Sequence, residues 1–382
     1  MRCVARQFRV SLATVQRWVQ RAEGNPLDQI DGSDTSHAPH QPPRQTDDRV
    51  QERIVEARAF LRQHSDLGEY GAQAIRLHLL AQPDLSAAQV PGTATINRIL
   101  RAHGQFDAKR RIRRPSPPSG WYLPEVGAQR ADIDAMDVGE GLFLEGGQER
   151  FALHLIALHG GGCATWLVAQ MRAVTVKESL LAHWRAYGLP AYAQFDNGSV
   201  CLGAPHLQDS LGRVSRLCLS LGVIPVFAVP REFGIQSAIA SYNARWQRSV
   251  WQRFVFSDAE QARLASSRYG RAVHQRTARR QEIAPGRRAF PCDWQEPTTL
   301  ARTGQIMFLR RTDEQGAVSV LGHSVVVAAH WCHRLVRCEV DLASDQIRLY
   351  GLRRQAPTEQ PLLKTWDYRL PDKSCKASRQ FD

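Results

Sequence analysis

The hydrophobic pattern between residues 131 and 196 constrains the fold more than any other part of the chain. Residues 131–138 alternate between apolar and polar side chains, as in a β-strand, and residues 151–158 and 164–170 have the composition of two further strands. A helical pattern follows at 174–187, and a buried strand then ends at Asp196. These elements predict a mixed α/β domain with an aspartate at the end of a buried strand.

Further patterns on the C-terminal side extend this domain. Residues 217–221 fit a helix, 223–229 a strand and 236–254 a long helix, so the domain is expected to cover 125–285. Five short strand-like segments between 303 and 352 then predict a small β-barrel over 300–355. The last residues, 356–382, are polar and predict a loosely ordered tail. With 382 residues in total, the chain is expected to be a multidomain α+β protein.

Residues 1–24 predict two short helices joined by a tight turn. Ser11 stands where an N-cap would start the second helix, and apolar residues recur at helical spacing on both sides of it. The pattern resembles the helix-turn-helix of bacterial transposases and repressors, whose second helix enters the major groove of DNA. This resemblance implies that Thr14, Gln16 and Arg17 face DNA; an ordinary helical hairpin is the alternative. Residues 25–46 are rich in Pro, Gly, Ser and His and predict a linker.

Residues 47–104 predict a second helical domain. Its last helix covers about 92–104 and ends at Gly104, a residue that commonly terminates helices. The polar face of this helix predicts a second helix-turn-helix that contacts DNA, with a purely structural bundle as the alternative. The residues on that face are Thr95, Asn97, Arg98 and Arg101.

The charge of the chain favours a nucleic-acid partner. The formal net charge is +13 and the isoelectric point about 9.8, and clustered cations gain free energy by releasing counterions from nucleic acid. The basic linker 105–124 carries the strongest cluster, and we expect an extended arm that follows a phosphate backbone or enters a minor groove. A solvated linker without a ligand is the alternative. The cations of this arm are Lys109, Arg110, Arg111, Arg113 and Arg114.

The compartment is inferred from what the sequence lacks. It contains no apolar run of membrane-spanning length and no signal-peptide pattern, so no membrane partner is expected. Its eight cysteines are scattered without a C-x-x-C pair, a pattern that favours free thiols in a reducing compartment. We therefore expect a cytoplasmic protein.

Three motifs of the core resemble the insertion-sequence transposases whose catalytic domain is of the retroviral-integrase type. Asp137-Val138 precedes a hairpin at 144–147, and Asp196-Asn197-Gly198 is similar to the family's second aspartate motif. Residues 216–223 are similar to the branch with a longer loop after that aspartate. The resemblance implies a ribonuclease-H-like core in which Asp137 and Asp196 are catalytic metal ligands. It also implies cleavage and strand transfer of double-stranded DNA by a homo-oligomeric complex that joins two element ends.

Chemistry of this kind uses two divalent cations, Mg²⁺ or Mn²⁺, held by carboxylate oxygens from distant parts of the chain. The register of the first strand is left open by a single sequence, so Asp134 is an alternative first ligand and Asp132 a weaker one.

The third carboxylate of the family is missing from its usual position. The residues that lead into the family's glutamate correspond here to 236–239, and the next position holds Ala240, whose methyl group does not bind a cation. Glu232 is the alternative third carboxylate, although it precedes Gly234 in an expected loop. We therefore expect a chain that binds DNA ends but cleaves and joins them poorly. A catalytically inactive, domesticated DNA-binding regulator is the main alternative, and a nuclease without joining activity is another.

Overall fold

The fold is taken from a computed structural model that describes residues 1–24, 26, 29–30, 46–105, 117–203, 207–230, 232, 234–300 and 302–372. The chain divides into two compact units, Met1–Glu52 and Arg53–Asp382. The boundary between them lies within helix α3, which spans Asp48–His64. The basic arm at residues 109–114, and with it Lys109, Arg110, Arg111, Arg113 and Arg114, falls outside the described residues.

The first unit contains helices α1 (Arg2–Gln7) and α2 (Leu12–Ala22), joined by a short turn where the sequence predicts one. Ser11 caps α2 by accepting a hydrogen bond from the amide of Thr14 at 3.1 Å, which satisfies a backbone donor of the first turn. Ala5 and Val15 are buried. Several larger apolar side chains of these two helices and of the turn between them remain exposed: Val4, Phe8, Val10, Trp18 and Val19.

The second unit begins with the rest of α3, followed by α4 (Ala72–Leu80) and α5 (Thr93–Ala102). Ile54, Ile75 and Ile96, one on each of these helices, are fully buried. The loop after α3 is tied to the following domain, because the Ser249 hydroxyl donates a hydrogen bond to the Leu67 carbonyl at 2.9 Å.

The central domain has the predicted order of strands and helices, and its sheet forms with the expected strand directions. β1, β2 and β3 are an antiparallel meander, whereas β4 and β5 run parallel to β1 on its other side. Helix α10 is continued by one π-helical turn, Gln247–Trp251. The elements are α6 (Pro124–Gly127), β1 (Ile133–Phe143), β2 (Glu149–Ala157), β3 (Cys163–Val168), α7 (Ala173–Tyr187), β4 (Tyr192–Phe195), α8 (Ser199–Leu202), α9 (Arg213–Ser220), β5 (Ile224–Phe227), α10 (Ser237–Trp246) and α11 (Ala259–Glu282).

The C-terminal strands differ from the predicted barrel. In the described residues they form no closed barrel but extend the central sheet, whose nine strands run in the order β11-β10-β9-β6-β5-β4-β1-β2-β3. The junction is a parallel pairing of β5 with β6, in which Phe227 stands opposite Phe308. β7 and β8 form a separate hairpin. The elements are β6 (Gln305–Arg311), β7 (Ala317–Val320), β8 (His323–Val326), β9 (Leu335–Asp341), β10 (Gln346–Gly351) and β11 (Leu362–Asp367).

The expectation of a loosely ordered tail after residue 356 is wrong for its first part. β11 pairs with β10, and Tyr368 and Leu370 behind it are buried. One apolar cluster also runs without interruption from Trp184 in the central domain through Phe227 to Leu349 near the C-terminal edge. The central and C-terminal strands therefore share a core, which fixes the ends of β1, β4 and β5 relative to the strands that follow. None of the described helices is both long and apolar enough to cross a membrane.

Candidate active site

Asp137, in the middle of β1, lies next to Asp196, which directly follows the end of the neighbouring strand β4. β1 and β4 are parallel, with Ala135 opposite Gln194, and the same register continued by two residues places Asp137 beside Asp196. Burial raises the pKa of Asp137, the Asn243 hydrogen bond lowers it, and the nearby charge of Asp196 raises it further. We call these two residues the carboxylate pair.

The backbone after β4 holds Asp196 in place. Its Oδ1 atom accepts a hydrogen bond from the amide of Gly198 at 3.0 Å. A Cβ atom at position 198 would lie only 3.0 Å from that same oxygen, so glycine leaves the carboxylate room. The Asn197 side-chain amide donates to the carbonyl of Ala228, which ties the loop to the end of the neighbouring β5. The Asp-Asn-Gly sequence is thus a compact turn that exposes the Asp196 carboxylate.

Helix α10 faces the carboxylate pair with Asn243. The Nδ2 atom of Asn243 donates to Oδ2 of Asp137 at 3.2 Å, and its Oδ1 atom accepts from Gln247 at 3.1 Å. Ala240 is exposed and precedes Asn243 by three residues, so it lies on the same face of the helix one turn towards its N-terminus. A longer side chain at position 240 would therefore extend from the face of α10 that meets Asp137.

A buried polar network lies behind Asn243. His154 is the cross-strand partner of Asp137 and is fully buried. Its Nδ1 atom lies 3.0 Å from the Thr165 hydroxyl oxygen. The Thr165 hydroxyl in turn lies 2.9 Å from the Tyr242 hydroxyl. The Nε2 atom of His154, next to Asn243, makes no hydrogen bond of normal geometry to any described residue. Burial lowers the pKa of His154 to about 3, so its ring is neutral at physiological pH.

The sequence interpretation missed Asn243 and His154 as parts of this site. The spacing of three residues from Ala240 was the available signal for Asn243, since that spacing puts both residues on one helical face. His154 had no comparable signal, because its contact with the site depends on the register between β1 and β2.

Asp134, the alternative first ligand, is placed differently. It lies three residues before Asp137 in the same strand, so the two side chains point to opposite faces of the sheet. Both Asp134 oxygens accept hydrogen bonds from Arg287, at 2.8 and 2.7 Å, and Oδ2 also accepts from the Trp184 indole at 2.9 Å. The weaker candidate Asp132 is also buried and lies 3.6 Å from Arg287. The structure thus makes Asp134 part of a buried ion pair and separates it from the carboxylate pair.

Glu232, the alternative third carboxylate, is also occupied elsewhere. Its Oε2 atom lies 2.5 Å from Arg311 at the end of β6, and its Oε1 atom lies 2.7 Å from Arg354 after β10. Two guanidinium groups therefore neutralise Glu232, and it links the loop before α10 to the C-terminal strands.

The carboxylate pair suits a hard divalent cation in chemistry but is short of ligands. Two carboxylates close enough to repel each other are stabilised by a cation between them, and oxygen is the ligand that Mg²⁺ prefers. Across the described ranges, however, no group of three or more His, Cys, Asp or Glu side chains is arranged to hold a metal ion. The position from which α10 could supply a third carboxylate holds Ala240.

The residues predicted to contact DNA lie on two separate helices. On α2, Gln16 and Arg17 are exposed, while the Thr14 hydroxyl lies 2.8 Å from that of Ser11. On α5, Arg98 and Arg101 are exposed and Thr95 and Asn97 are half-buried. The cations of 109–114 lie outside the described residues.

No protein-family model matches the sequence, and no curated protein matches it significantly. Among solved structures, the chain is similar to the catalytic core domain of BIV integrase, with 16% identity and a TM-score of 0.27 over 36% of this chain and 80% of that one. It is similar to a chain of the simian T-cell lymphotropic virus intasome in complex with PP2A regulatory subunit B56 gamma, with 12% identity and a TM-score of 0.33 over 70% and 88%. It is also similar to the HTLV-2 integrase catalytic core domain in complex with magnesium, with 10% identity and a TM-score of 0.26 over 36% and 80%.

Proposed function

We propose that the chain is a DNA transposase or integrase of the DDE type in which Ala240 replaces the third carboxylate. The observation that carries this proposal is the placement of Asp137 and Asp196 on adjacent parallel strands with α10 packed against them. Three elements distant in sequence meet there, and metal-dependent phosphoryl transfer uses carboxylates that are brought together in this way. Asp134 and Glu232 are both neutralised by arginines, which supports Asp137 and Asp196 as the functional carboxylates.

Each residue of the site has a distinct role in this proposal. Asp137 and Asp196 would hold Mg²⁺ or Mn²⁺, which activates the attacking oxygen and stabilises the leaving oxygen when bound. Asn243 orients Asp137 through its hydrogen bond, and the neutral His154, which lies next to Asn243, is itself hydrogen-bonded to Thr165. The chemical outcome would be hydrolysis of a phosphodiester at an element end, followed by attack of the freed 3′-hydroxyl on target DNA.

The partner we propose is double-stranded DNA, bound as element ends and as target. The net charge of +13 supports a polyanionic partner. The exposed Arg17, Arg98 and Arg101 are candidates for phosphate or base contacts, and so are the cations of the arm at 109–114. A reaction that joins two ends implies at least two copies of the chain in one complex.

Ala240 limits what this chain does with that DNA. Without the third carboxylate the site has fewer oxygen ligands than two divalent cations need, so we expect DNA binding with weak cleavage and joining. This same residue favours the second candidate function, a transposase-derived regulator that binds DNA without cutting it.

Nicking and strand-transfer assays on plasmid DNA carrying the sequences that flank the gene test the proposal. With Mg²⁺ or Mn²⁺, we expect little product from the natural chain and a clear gain from Ala240→Glu, with Asp196→Asn in the Ala240→Glu background as the inactive control. Robust activity in the natural chain, unchanged by Ala240→Glu, would show that position 240 is not where a third carboxylate is missing. Salt-sensitive DNA binding with no metal-dependent nicking in either chain would favour the regulator.

A further inference from the structure

A cavity of about 220 Å³ opens directly beside the Asp196 turn. Its wall includes Asn197, the residue after Asp196, and Arg310 at the C-terminal part of β6. Leu207, Phe308 and Leu321 supply apolar surface to the same wall. We call it the Arg310 cavity.

Arg310 brings an uncompensated positive charge to this cavity. Its Nε atom donates to the Ser319 carbonyl at 3.1 Å and its Nη1 atom to the Leu309 carbonyl at 2.9 Å, and its guanidinium lies 4.9 Å from the centre of the Phe308 ring. No carboxylate among the described residues pairs with it, and burial lowers the pKa of Arg310. A partly buried guanidinium that contacts two carbonyl groups and an aromatic ring but no carboxylate favours a ligand that offers an acceptor.

Asn197, which also lines the cavity, has an unpaired acceptor. Its Nδ2 atom donates to the Ala228 carbonyl, so the orientation of the amide is set, because the reversed amide would place two carbonyl oxygens together. Its Oδ1 atom is then buried without a hydrogen-bond partner among the described residues. A ligand that satisfies this atom must offer a donor.

We propose that the Arg310 cavity takes one unpaired nucleobase of the DNA strand held at Asp137 and Asp196, an inference that rests on the proposed function. The edge of a nucleobase presents donors and acceptors side by side, whereas a phosphate group presents acceptors only. Its flat apolar faces suit Leu207, Phe308 and Leu321, and a single base fits the small volume. Enzymes that do chemistry on a base take that nucleotide out of the helical stack into a pocket, so a protein can hold a single extruded base.

The consequence is a fixed position for the strand at the carboxylate pair. A base held beside Asn197 sets where its own backbone lies relative to Asp196, the neighbouring residue. The cavity would also distinguish bases, since the donor on Arg310 and the acceptor on Asn197 match some base edges better than others.

Fluorescence of 2-aminopurine tests the proposal directly. A short single-stranded oligonucleotide of mixed sequence with one internal 2-aminopurine is weakly fluorescent because its neighbours stack on it. On binding to the full chain, we expect a severalfold rise in emission and protection from acrylamide quenching. In Leu207→Trp, the larger side chain fills the cavity and most of that rise should be lost, while anisotropy shows that the oligonucleotide is still bound.

Leu362→Trp is the matched control, because Leu207 and Leu362 are similarly exposed, at 49% and 53%, and Leu362 lies outside the cavity. Arg310→Lys, which keeps the charge but loses the planar donor edge, should also reduce the rise, with circular dichroism confirming its fold. If the oligonucleotide binds but the rise in 2-aminopurine emission is equal in the natural chain, Leu207→Trp and Leu362→Trp, the proposed role of the Arg310 cavity is overturned while the proposed function is not. No binding of any oligonucleotide would overturn the proposed function and the cavity with it.

Discussion

The side-chain amide of Asn243 donates a hydrogen bond to the carboxylate of Asp137 across 106 positions of sequence. This contact joins helix α10 to β1, the first strand of the sheet. The exposed Ala240 lies on the same face of α10, one turn closer to its N-terminus. The hydrogen bond from Asn243 thus holds the position of Asp137 without any carboxylate on α10.

Asn243→Ala should destabilise the second unit by about 1–2 kcal/mol, because it removes a hydrogen bond to a partly buried carboxylate. The free energy of unfolding in urea, followed by circular dichroism, measures the loss. Asn97→Ala is the matched control, since Asn97 is also half-buried on a helix but has no hydrogen bond to a carboxylate among the described residues. Equal losses in the two variants would show that the contact with Asp137 contributes nothing.

Ala240→Glu should make the stability of the chain depend on divalent cations. A third carboxylate beside the carboxylate pair raises the affinity for Mn²⁺, and a ligand at one hundred times its Kd stabilises the folded state by about 2.7 kcal/mol. The measurement is the shift in Tm on adding MnCl₂, compared with the natural chain and with Ser241→Glu. Ser241 is exposed on the same helix but follows Ala240 by one residue and points away from that face. A shift of the same size in Ser241→Glu would mean that the added charge, rather than its position, binds the ion.

Local periodicity made much of the central domain predictable from sequence. The alternation in residues 131–138 and the apolar segment before Asp196 depend on near neighbours in the chain, so the order of strands and helices and the placement of Asp196 at a strand end follow from them. The turn after Asp196 is likewise local, because it needs Gly198 two residues away.

The contacts that define the site and the C-terminal strands depend instead on distant partners. Strand composition indicates that 305–311 is extended but not that it pairs with β5, so the predicted barrel was wrong and the sheet is continuous. The same reason explains why the sequence left Asp134 and Glu232 open as alternative ligands. Their arginine partners, Arg287 for Asp134 and Arg311 and Arg354 for Glu232, are far away in sequence, and no local pattern assigns one carboxylate to an ion pair and another to a cation.

Arg287→Met should cost about 3–5 kcal/mol of stability, because it leaves the Asp134 carboxylate, which is 1% exposed, without its ionic partner. The unfolding free energy in urea measures this loss. Arg263→Met is the control, since that arginine forms an exposed pair with Glu260 on α11, and its removal should leave the unfolding midpoint unchanged. If Asp134 were a metal ligand instead, Arg287→Met would change Mn²⁺ binding more than it changes stability.

His183 should make the fold sensitive to acid. It is buried in α7 with Nδ1 unpaired among the described residues, and burial lowers its pKa to about 4, with Arg287 and His274 acting in the same direction and Asp134 opposing them. Because an unfolded histidine titrates near 6.5, the unfolded state binds more protons between pH 6.5 and about 4, and stability falls as the pH drops through that window by up to roughly 3 kcal/mol. His183→Phe keeps the ring contacts with Trp166 and Tyr187 and should remove this part of the loss of stability.

Urea unfolding at a series of pH values measures the difference between His183→Phe and the natural chain. His103→Gln, at the exposed end of α5, is the control for loss of a histidine. A pH profile of His183→Phe that is parallel to that of the natural chain would show that His183 is not the source of the acid sensitivity.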